Sequence, residues 1–426
     1  MRILYFVQYF NLPDEPGGSR PYQFARQWAR AGHEVTVVTG ALNHKTLTVP
    51  ERFRGRLIAR ETIDGVRVLR VWSYAGIRGS FGRRLLNFLS YAVTATLAGL
   101  IRAGSADIVY ASSTPLTVGL PGALTAAVRR APFVFEVRDL WPQSAVVAGV
   151  LRKRGPLTLA ARWFAWRLYR RAARVVAVTR GIESGLIDEG VPPEKVLFVP
   201  NGVDDWMLEA GERPVPERPD RFRVVYCGAH GRWNGLDQIL EAAELLREDP
   251  VEFVFIGDGD ERARLEERAR RAGLDHVRFV GAVPKREAFE QLRAASANVV
   301  VTWRHPFQRM VLANKIFDYL AAGRPVIVAA EGEMAELVRR AGCGLVTPPE
   351  DPPALARAVR ELAAMREEEL ARLGSSGRRY AIENFHRGEL AWRLLEVFGK
   401  LAGRDPREPS SAPGPRLVAD REAGDA

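Results

Sequence analysis

Short apolar strands that alternate with amphipathic helices, in two successive blocks, restrict the possible folds of this chain most strongly. Predicted strands recur from Ile3–Tyr9 to Val196–Pro200, and those from Ile108–Tyr110 onward are short β-branched runs, typical of strands buried in parallel sheets. The alternation stops at Asn201–Asp204 and resumes at Arg223–Cys227, after a polar, proline-rich linker at residues 211–221. Strand–helix–strand units of this kind connect with a right-handed crossover and build doubly wound sheets. The sequence therefore predicts an α/β chain with two doubly wound domains.

The individual strands are short, and a helix fits between most of them. In the first block we predict further strands at Glu34–Val38, Val66–Trp72, Ile108–Tyr110, Phe133–Val137 and Val175–Val178. In the second block we predict further strands at Glu252–Ile256, Val277–Val280, Ala297–Thr302, Val326–Ala329 and Gly344–Val346. A helical stretch at about residues 353–401 follows, and the residues after Gly403 have the composition of a disordered tail.

The composition agrees with a folded protein of two domains. The 426 residues exceed the usual size of a single core, and the hydrophobic content of 47% suits a globular protein. Met1-Arg2 runs directly into the first predicted strand without a signal peptide, and Cys227 and Cys343 show no metal-binding or redox spacing. We therefore expect a cytoplasmic protein with reduced cysteines.

Positive charge is concentrated in the first half of the chain. Residues 1–200 contain 28 Lys and Arg against 13 Asp and Glu, a balance of +15, whereas residues 201–426 contain 34 against 38, a balance of −4. This asymmetry predicts that the first domain meets an anionic surface or ligand, and anionic lipid and nucleic acid both fit the charge alone. Because the sequence contains no recognisable nucleic-acid-reading module, we expect no nucleic acid partner.

Two segments of the first half combine apolar and basic residues. Residues 81–101 are uncharged from Leu85 onward, which leaves two alternatives, a buried core helix or an interfacial helix on a membrane. Residues 162–174 alternate arginines with aromatic residues. This second segment is either an interfacial helix or an ordinary amphipathic helix with a solvated arginine face. Both pairs of alternatives stay open from the sequence.

The most specific segment is residues 311–328, which read VLANKIFDYLAAGRPVIV. They predict a helix from Asn314 to Ala322 that ends at Gly323, followed by a short apolar strand. Lys315 lies in the first turn, where the positive end of the helix dipole disfavours a cation. A bound anion such as a phosphate would explain this position, and an ordinary surface lysine is the alternative.

Glycine-rich loops follow the first strand of each block. Gly17 and Gly18 precede a helix in the first block, and residues 228–235 (GAHGRWNG) form the corresponding loop of the second. Glycine lets a ligand approach the backbone, and doubly wound sheets bind ligands at the carboxyl ends of their strands. The first loop lacks the GxGxxG spacing, so a nicotinamide cofactor is not expected.

These motifs resemble the retaining family 4 glycosyltransferases of the GT-B fold, in which the helix segment commonly reads PxKxFEYxAxGxPVI. The resemblance covers roughly residues 1–395. It implies two Rossmann-like domains that face a cleft. The first, at residues 1–205, would be basic, membrane-facing and acceptor-binding, and the second, at residues 206–385, would bind the nucleotide-sugar.

The resemblance also assigns the end of the chain. A helix at residues 386–403 would cross back onto the first domain, where Trp392 and Phe398 could dock. Residues 404–426 would remain as a disordered tail.

The donor-binding loop departs from the family pattern. In the family it commonly reads GRLxxxKG, and its Arg and Lys hold the donor diphosphate. This chain has Ala229 and Asn234 at those positions. Arg232 and Lys315 are the available substitutes, and with backbone N–H groups they would hold the charge that develops on the leaving diphosphate. Because cations can do this and no DxD motif lies in a suitable loop, we expect neither a metal nor a cofactor.

Two acidic positions of the family pattern also differ in this chain. The family has a pair of Glu residues separated by seven positions, for which this chain has Met310 and Asp318, so that only the ribose-binding acid is kept. Near the reacting carbon the family has a His before an acidic residue, where this chain has Arg138-Asp139. Asp139 would orient the acceptor hydroxyl or stabilise the cationic sugar, and Arg138 would contact an acceptor phosphate.

Four motifs narrow the resemblance to one subgroup: ExRDLWP, NGVD, YCGAHG and NKIFDY. They resemble transferases of bacterial capsule and O-antigen assembly, such as N-acetylfucosaminyl transferase-like proteins. The predicted catalytic residues are Asp139, Arg138, Arg232 and Lys315. The predicted donor-binding residues are Gly17, Gly18, Asn201, Gly228, Arg232, Ala313, Asn314, Lys315 and Asp318.

The resemblance implies transfer of a hexosyl or N-acetylhexosaminyl group with retention, from a nucleotide-sugar for which UDP is favoured. The acceptor would be a lipid-linked glycan or polysaccharide in cell-surface polysaccharide biosynthesis, at the inner face of the cytoplasmic membrane. A non-catalytic nucleotide-sugar-binding subunit is the main alternative, because Met310 replaces a family Glu. A sugar-nucleotide epimerase is a second alternative, which the mostly basic cleft candidates disfavour.

Overall fold

Two separate β-sheets, one in each half of the chain, organise the fold. The computed structural model describes residues 1–13, 15, 18–43, 48–75, 81–212 and 220–408. Gly17 and residues 213–219 of the predicted linker lie outside these ranges. The two sheets confirm the predicted α/β class with two doubly wound domains.

The first sheet has eight strands in the order β3-β4-β2-β1-β5-β6-β7-β8. The strands are β1 (Arg2–Val7), β2 (Glu34–Gly40), β3 (Ile58–Ile63), β4 (Val66–Val71), β5 (Ile108–Ser112), β6 (Phe133–Val137), β7 (Arg174–Ala177) and β8 (Val196–Phe198). The helices of this half are α1 (Arg20–Arg30), α2 (Phe81–Ile101), α3 (Gly119–Arg129), α4 (Gln143–Val147), α5 (Pro156–Arg171), α6 (Arg180–Asp188) and α7 (Asp205–Gly211). Every strand pair in this sheet is parallel except β3 with β4.

The antiparallel edge strand β3 was not predicted. It pairs with β4 through a tight turn at Asp64-Gly65, where φ is +48° and +80°. Positive φ at both central residues is the geometry that Asp-Gly favours in two-residue hairpins. The Asp64-Gly65 dipeptide is therefore the sequence signal for the β3–β4 hairpin.

The second sheet has six parallel strands in the order β11-β10-β9-β12-β13-β14. The strands are β9 (Phe222–Cys227), β10 (Val251–Ile256), β11 (Val277–Gly281), β12 (Ala297–Val301), β13 (Val326–Ala329) and β14 (Gly344–Thr347). The helices are α8 (Asp237–Leu245), α9 (Arg262–Arg271), α10 (Lys285–Arg293), α11 (Lys315–Ala321), α12 (Glu333–Ala341), α13 (Pro352–Ala364), α14 (Glu367–Phe385) and α15 (Arg387–Ala402). The predicted helix at 314–322 is thus α11, shorter by one residue at each end.

The last helix, α15, completes the core of the first domain. It packs on α1, and the Trp28 indole donates a hydrogen bond to the Ala391 carbonyl at 2.9 Å. The Phe398 ring lies 5.3 Å from Trp28 and 5.4 Å from Tyr110, and Trp392 packs against the same cluster. These contacts confirm the predicted crossing of the C-terminal helix.

The chain just after α15 also lies against the first domain. The Pro406 carbonyl lies 2.9 Å from His33 Nε2, and Arg404 lies 3.5 Å from the Asp107 carboxylate. Residues 404–408, which we expected to begin a disordered tail, are therefore held in place by contacts that their composition does not reveal. Residues 409–426 lie outside the described ranges.

We expect the core around α15 to be sensitive to lost side-chain volume. Leu394 is fully buried between α15 and the first sheet, so Leu394→Ala should lower the free energy of unfolding by about 3 kcal/mol. Chemical denaturation followed by circular dichroism measures this. Leu245→Ala is the control, because Leu245 is 49% exposed and its truncation should change stability little. Equal losses in both variants would mean that α15 does not contribute to the cooperative core.

A buried carboxylate joins the two domains at their connection. Asp204 accepts hydrogen bonds from the Arg387 guanidinium, from Ser19 Oγ at 3.1 Å and from Lys285 Nζ at 3.4 Å. These partners belong to the crossover helix, the first domain and the second domain in turn. Val203 already packs in the second-domain core, just before the predicted boundary at residue 205.

Candidate functional site

A cavity of about 470 Å³ lies between the two domains. First-domain residues line it from the loops that follow β1, β5, β6, β7 and β8, and residues 307 and 310–314 line it from the second domain. The carboxyl ends of parallel strands are where such sheets bind ligands. The structure brings six of the predicted site residues to this cavity: Gly18, Arg138, Asp139, Asn201, Ala313 and Asn314.

Arg138 and Asp139 stand at the end of β6, which is anchored by a buried ion pair. Glu136 of this strand accepts hydrogen bonds from Arg20 at 2.7 Å and from Tyr110 and Ser112 at 2.6 Å each. Beyond it, burial raises the pKa of the Asp139 carboxyl and lowers the pKa of the Arg138 guanidinium. The strand thus presents an acid and a cation, both partly withdrawn from water, to the cavity.

Lys315 lines an adjoining cavity of about 300 Å³, which shares residues 307, 311 and 313 with the first. Its Nζ donates to Tyr226 Oη at 2.6 Å and to Asn234 Oδ1 at 3.1 Å. Burial lowers the pKa of this amine to about 7. An anion bound beside it would favour the charged form, so the site is suited to take up a proton together with an anionic ligand.

Gly228 packs directly against the end of the Lys315 side chain. A Cβ atom at residue 228 would lie 2.9 Å from Lys315 Nζ and 2.9 Å from its Cε, closer than side-chain atoms normally approach. Gly228, which we predicted to bind the donor, therefore lies against the Lys315 amine.

The structure does not bring Arg232 and Asp318 to either cavity. The Arg232 side chain is exposed, and its carbonyl accepts a hydrogen bond from Trp303 Nε1 at 2.6 Å. Asp318 is partly buried in α11, where burial raises the pKa of its carboxyl. The predicted donor-binding roles of these two residues therefore stay predictions, whereas Lys315 lines the smaller cavity.

Met310 holds the two domains together beside the cavity. A Cβ atom at Gly181 would lie only 2.4 Å from the Met310 Cβ, which shows how closely these segments of the two domains approach each other. Thr179 Oγ1 donates to the Met310 carbonyl at 3.0 Å, and Glu333 accepts from the Gly181 amide. The position that carries Glu in the family thus makes an apolar interdomain contact here.

Sequence reasoning missed Tyr226 and the role of Asn234. Tyr226 ends a buried strand and showed no separate signal. Asn234 carried a sequence signal, because it stands where the family has the diphosphate-binding Lys. Its side-chain oxygen lies 3.1 Å from the Lys315 amine. Among the residues that the structure describes, no group of three or more His, Cys, Asp or Glu side chains is placed to hold a metal ion.

Two protein families between them match most of the chain. Residues 17–202 match the family described as a glycosyl transferase 4-like domain, and residues 221–365 match the family described as glycosyl transferases group 1. WbjE of Pseudomonas aeruginosa, assigned as a glycosyltransferase, is 28% identical over 297 residues, which cover 67% of this chain and 72% of WbjE. WcaI of Escherichia coli K12, assigned to colanic acid biosynthesis, is 26% identical over 351 residues, which cover 79% of this chain and 86% of WcaI.

Solved structures agree on the fold. Anabaena HepE in complex with UDP superimposes with a TM-score of 0.66 at 19% identity, over 94% of this chain and 100% of HepE. Sucrose-phosphate synthase from Thermosynechococcus elongatus superimposes with a TM-score of 0.73 at 19% identity, over 95% of this chain and 100% of that enzyme. The architecture of two facing domains is therefore shared with both.

Proposed function

The chain belongs to the family 4 glycosyltransferases of the GT-B fold, and from this membership we propose that it transfers a sugar from a UDP-sugar to a lipid-linked or polysaccharide acceptor with retention of configuration. The observation that carries the proposal is the Lys315 amine, which contacts Asn234 at the family's diphosphate-binding position. UDP bound to HepE and the colanic acid assignment of WcaI support the donor and the cell-surface role. The subgroup is that of capsule and O-antigen transferases.

In this proposal the donor diphosphate and the acceptor bind in different cavities of the adjoining pair. The donor diphosphate lies beside the charged Lys315 amine, which stabilises the charge that develops on the leaving group, and Arg232 moves in from the exposed loop. The acceptor enters the larger cavity, where Asp139 orients its hydroxyl and Arg138 binds an acceptor phosphate. Gly18, Asn201, Ala313 and Asn314 shape the space for the sugar. The reaction so described uses no metal and no cofactor.

A non-catalytic nucleotide-sugar-binding subunit is the second candidate. Met310 favours it, because an apolar interdomain contact replaces a family carboxylate. Such a subunit would bind a nucleotide but release no free UDP from a UDP-sugar in the presence of membranes that contain the acceptor.

Nucleotide-dependent stabilisation tests the donor site directly. We expect UDP to raise the melting temperature, with GDP, ADP and CMP giving little change, because a ligand at a hundred times its Kd stabilises the native state by about 2.7 kcal/mol. The measurement is a thermal melt of the wild type with each nucleotide. A preference for another nucleotide would replace UDP in the proposal. The absence of any shift would contradict a nucleotide-sugar site.

A further inference from the structure

Three neighbouring helices of the first domain expose apolar side chains on their outer surface. Helices α2, α3 and α5 lie side by side, with α2 against α3 and α3 against α5, over one face of the first sheet. We call their outer surface the three-helix face. Its exposed large side chains are Leu86, Leu89, Val93, Leu97 and Ile101 of α2, Leu124 and Val128 of α3, and Leu157, Leu159, Trp163 and Trp166 of α5.

Helix α2 has two apolar sides with different roles. Its inner side packs Tyr91 and Ala95 fully buried against the sheet, whereas Val93 is 60% and Ile101 is 68% exposed. By length and composition the helix could cross a membrane, but 39% of its most apolar window is buried inside the protein. A spanning orientation would remove Tyr91 from the core. The sequence alternatives of core helix and interfacial helix are therefore compatible in one helix that uses both sides.

The charged residues of the three helices are all cations. None of the three helices contains an Asp or Glu. Arg170 and Arg167 stand over the rings of Trp166 and Trp163, at 4.6 and 5.9 Å from the ring centres. Further exposed cations on or next to these helices are Arg84, Arg102, Arg130, Lys153, Arg154 and Arg171, and Arg162 lies 3.7 Å from Glu189.

This combination selects one kind of partner. A second copy of the chain would bring like charges together without acids to pair them. An anionic lipid bilayer supplies both a hydrocarbon interior for the Trp, Leu and Val side chains and phosphates for the arginines. Charge complementarity therefore favours a membrane over self-association.

The three-helix face ends next to the cleft. Asn87, in the second turn of α2, accepts a hydrogen bond from Gln8 Nε2 at 2.6 Å, and the next residue, Tyr9, lines the larger cavity. Helices that follow parallel strands begin near the carboxyl ends of those strands, so all three helices start at the cleft side of the domain. A membrane under this surface would meet the opening of the acceptor cavity.

We propose that the three-helix face docks flat on an anionic lipid bilayer and holds the acceptor cavity at the membrane surface. Docking would place the proposed transfer to a lipid-linked acceptor at the membrane. Only this biological role of docking rests on the proposed function. Binding itself is a property of the surface and can be measured without a donor or an acceptor.

Cosedimentation of the full chain with vesicles tests the docking. The vesicles are phosphatidylcholine alone, or phosphatidylcholine with about a third phosphatidylglycerol, at about 0.05 and 0.5 M salt. We expect binding to the anionic vesicles at low salt and at least tenfold weaker binding at high salt. The double variant Val93→Gln/Trp163→Ala should also bind at least tenfold more weakly, since both side chains are mostly exposed in the free protein.

Matched controls separate docking from folding and from the donor site. Leu245→Gln changes a half-exposed apolar residue of α8, and Arg357→Glu changes an exposed cation of α13, and both should bind vesicles like the wild type. The UDP-dependent melting shift should be the same in every variant. Undiminished vesicle binding by Val93→Gln/Trp163→Ala, no binding to anionic vesicles, or a dimer that the double variant dissociates would each overturn the proposal while leaving the donor site intact. Loss of the UDP shift alone would overturn the donor site and leave the docking surface.

Discussion

Lys315→Met is expected to weaken UDP binding about 30-fold and to lower turnover with a UDP-sugar by at least about 100-fold. The first effect follows because the variant removes a charge-assisted hydrogen bond to the diphosphate, worth about 2 kcal/mol. The second follows because the same cation is needed most when charge develops on the leaving group. Isothermal calorimetry with UDP and an assay of released UDP measure the two effects. Lys400→Met is the control, because Lys400 is an exposed lysine of α15 far from the cleft.

The pH dependence of UDP affinity should identify Lys315 as the titrating group. Its pKa in the free protein is about 7, lowered by burial, and an adjacent diphosphate raises it. Affinity should therefore fall by up to tenfold per pH unit above pH 7, until the pKa of the complex is reached. The slope should vanish in Lys315→Met. A pH-independent affinity in the wild type, or a slope that persists in the variant, would show that Lys315 is not the diphosphate contact.

Asp139→Asn is expected to lower kcat by about 100- to 1,000-fold while leaving UDP affinity unchanged. Asp139 lines the larger cavity with Arg138, apart from the Lys315 contacts, so its loss should affect the acceptor step and not donor binding. Asn has the same shape but cannot accept a proton or stabilise a cationic sugar. Steady-state kinetics and the UDP melting shift provide the two measurements. Asp188→Asn, at an exposed position of α6, should behave as the wild type, and full activity in Asp139→Asn would remove its assigned role.

The fold was predictable from the sequence because its main signal is local. Buried parallel strands such as β12 and β13 have the short β-branched sequences that are typical of such strands. The edge strand β3 was missed because it is only half buried, so its composition is mixed. The last helix was assigned through the family resemblance, since nothing in α15 itself specifies which sheet it covers.

The candidate site was predictable only where the chain supplies short-range patterns. Arg138, Asp139 and Lys315 lie at strand ends or helix starts, and the structure places each of them at a cavity. The Tyr226 hydroxyl contacts Lys315 within the second domain, 89 residues along the chain, and Met310 contacts Thr179 across the cleft, 131 residues away. Such contacts follow from tertiary packing, which residue spacing does not encode.

The crossover of α15 sets the order in which the protein can mature on the ribosome. The first sheet is synthesised early, yet the surface formed by Trp28 and Tyr110 has no cover until Phe398 and its neighbours emerge. At ordinary rates of translation, the roughly 200 residues between β8 and α15 delay that cover by about 10 to 40 s. During this interval an aromatic surface of the nascent chain is available to chaperones. The first domain therefore completes its core only after α15 has left the ribosome, so the two domains cannot finish folding one after the other during synthesis.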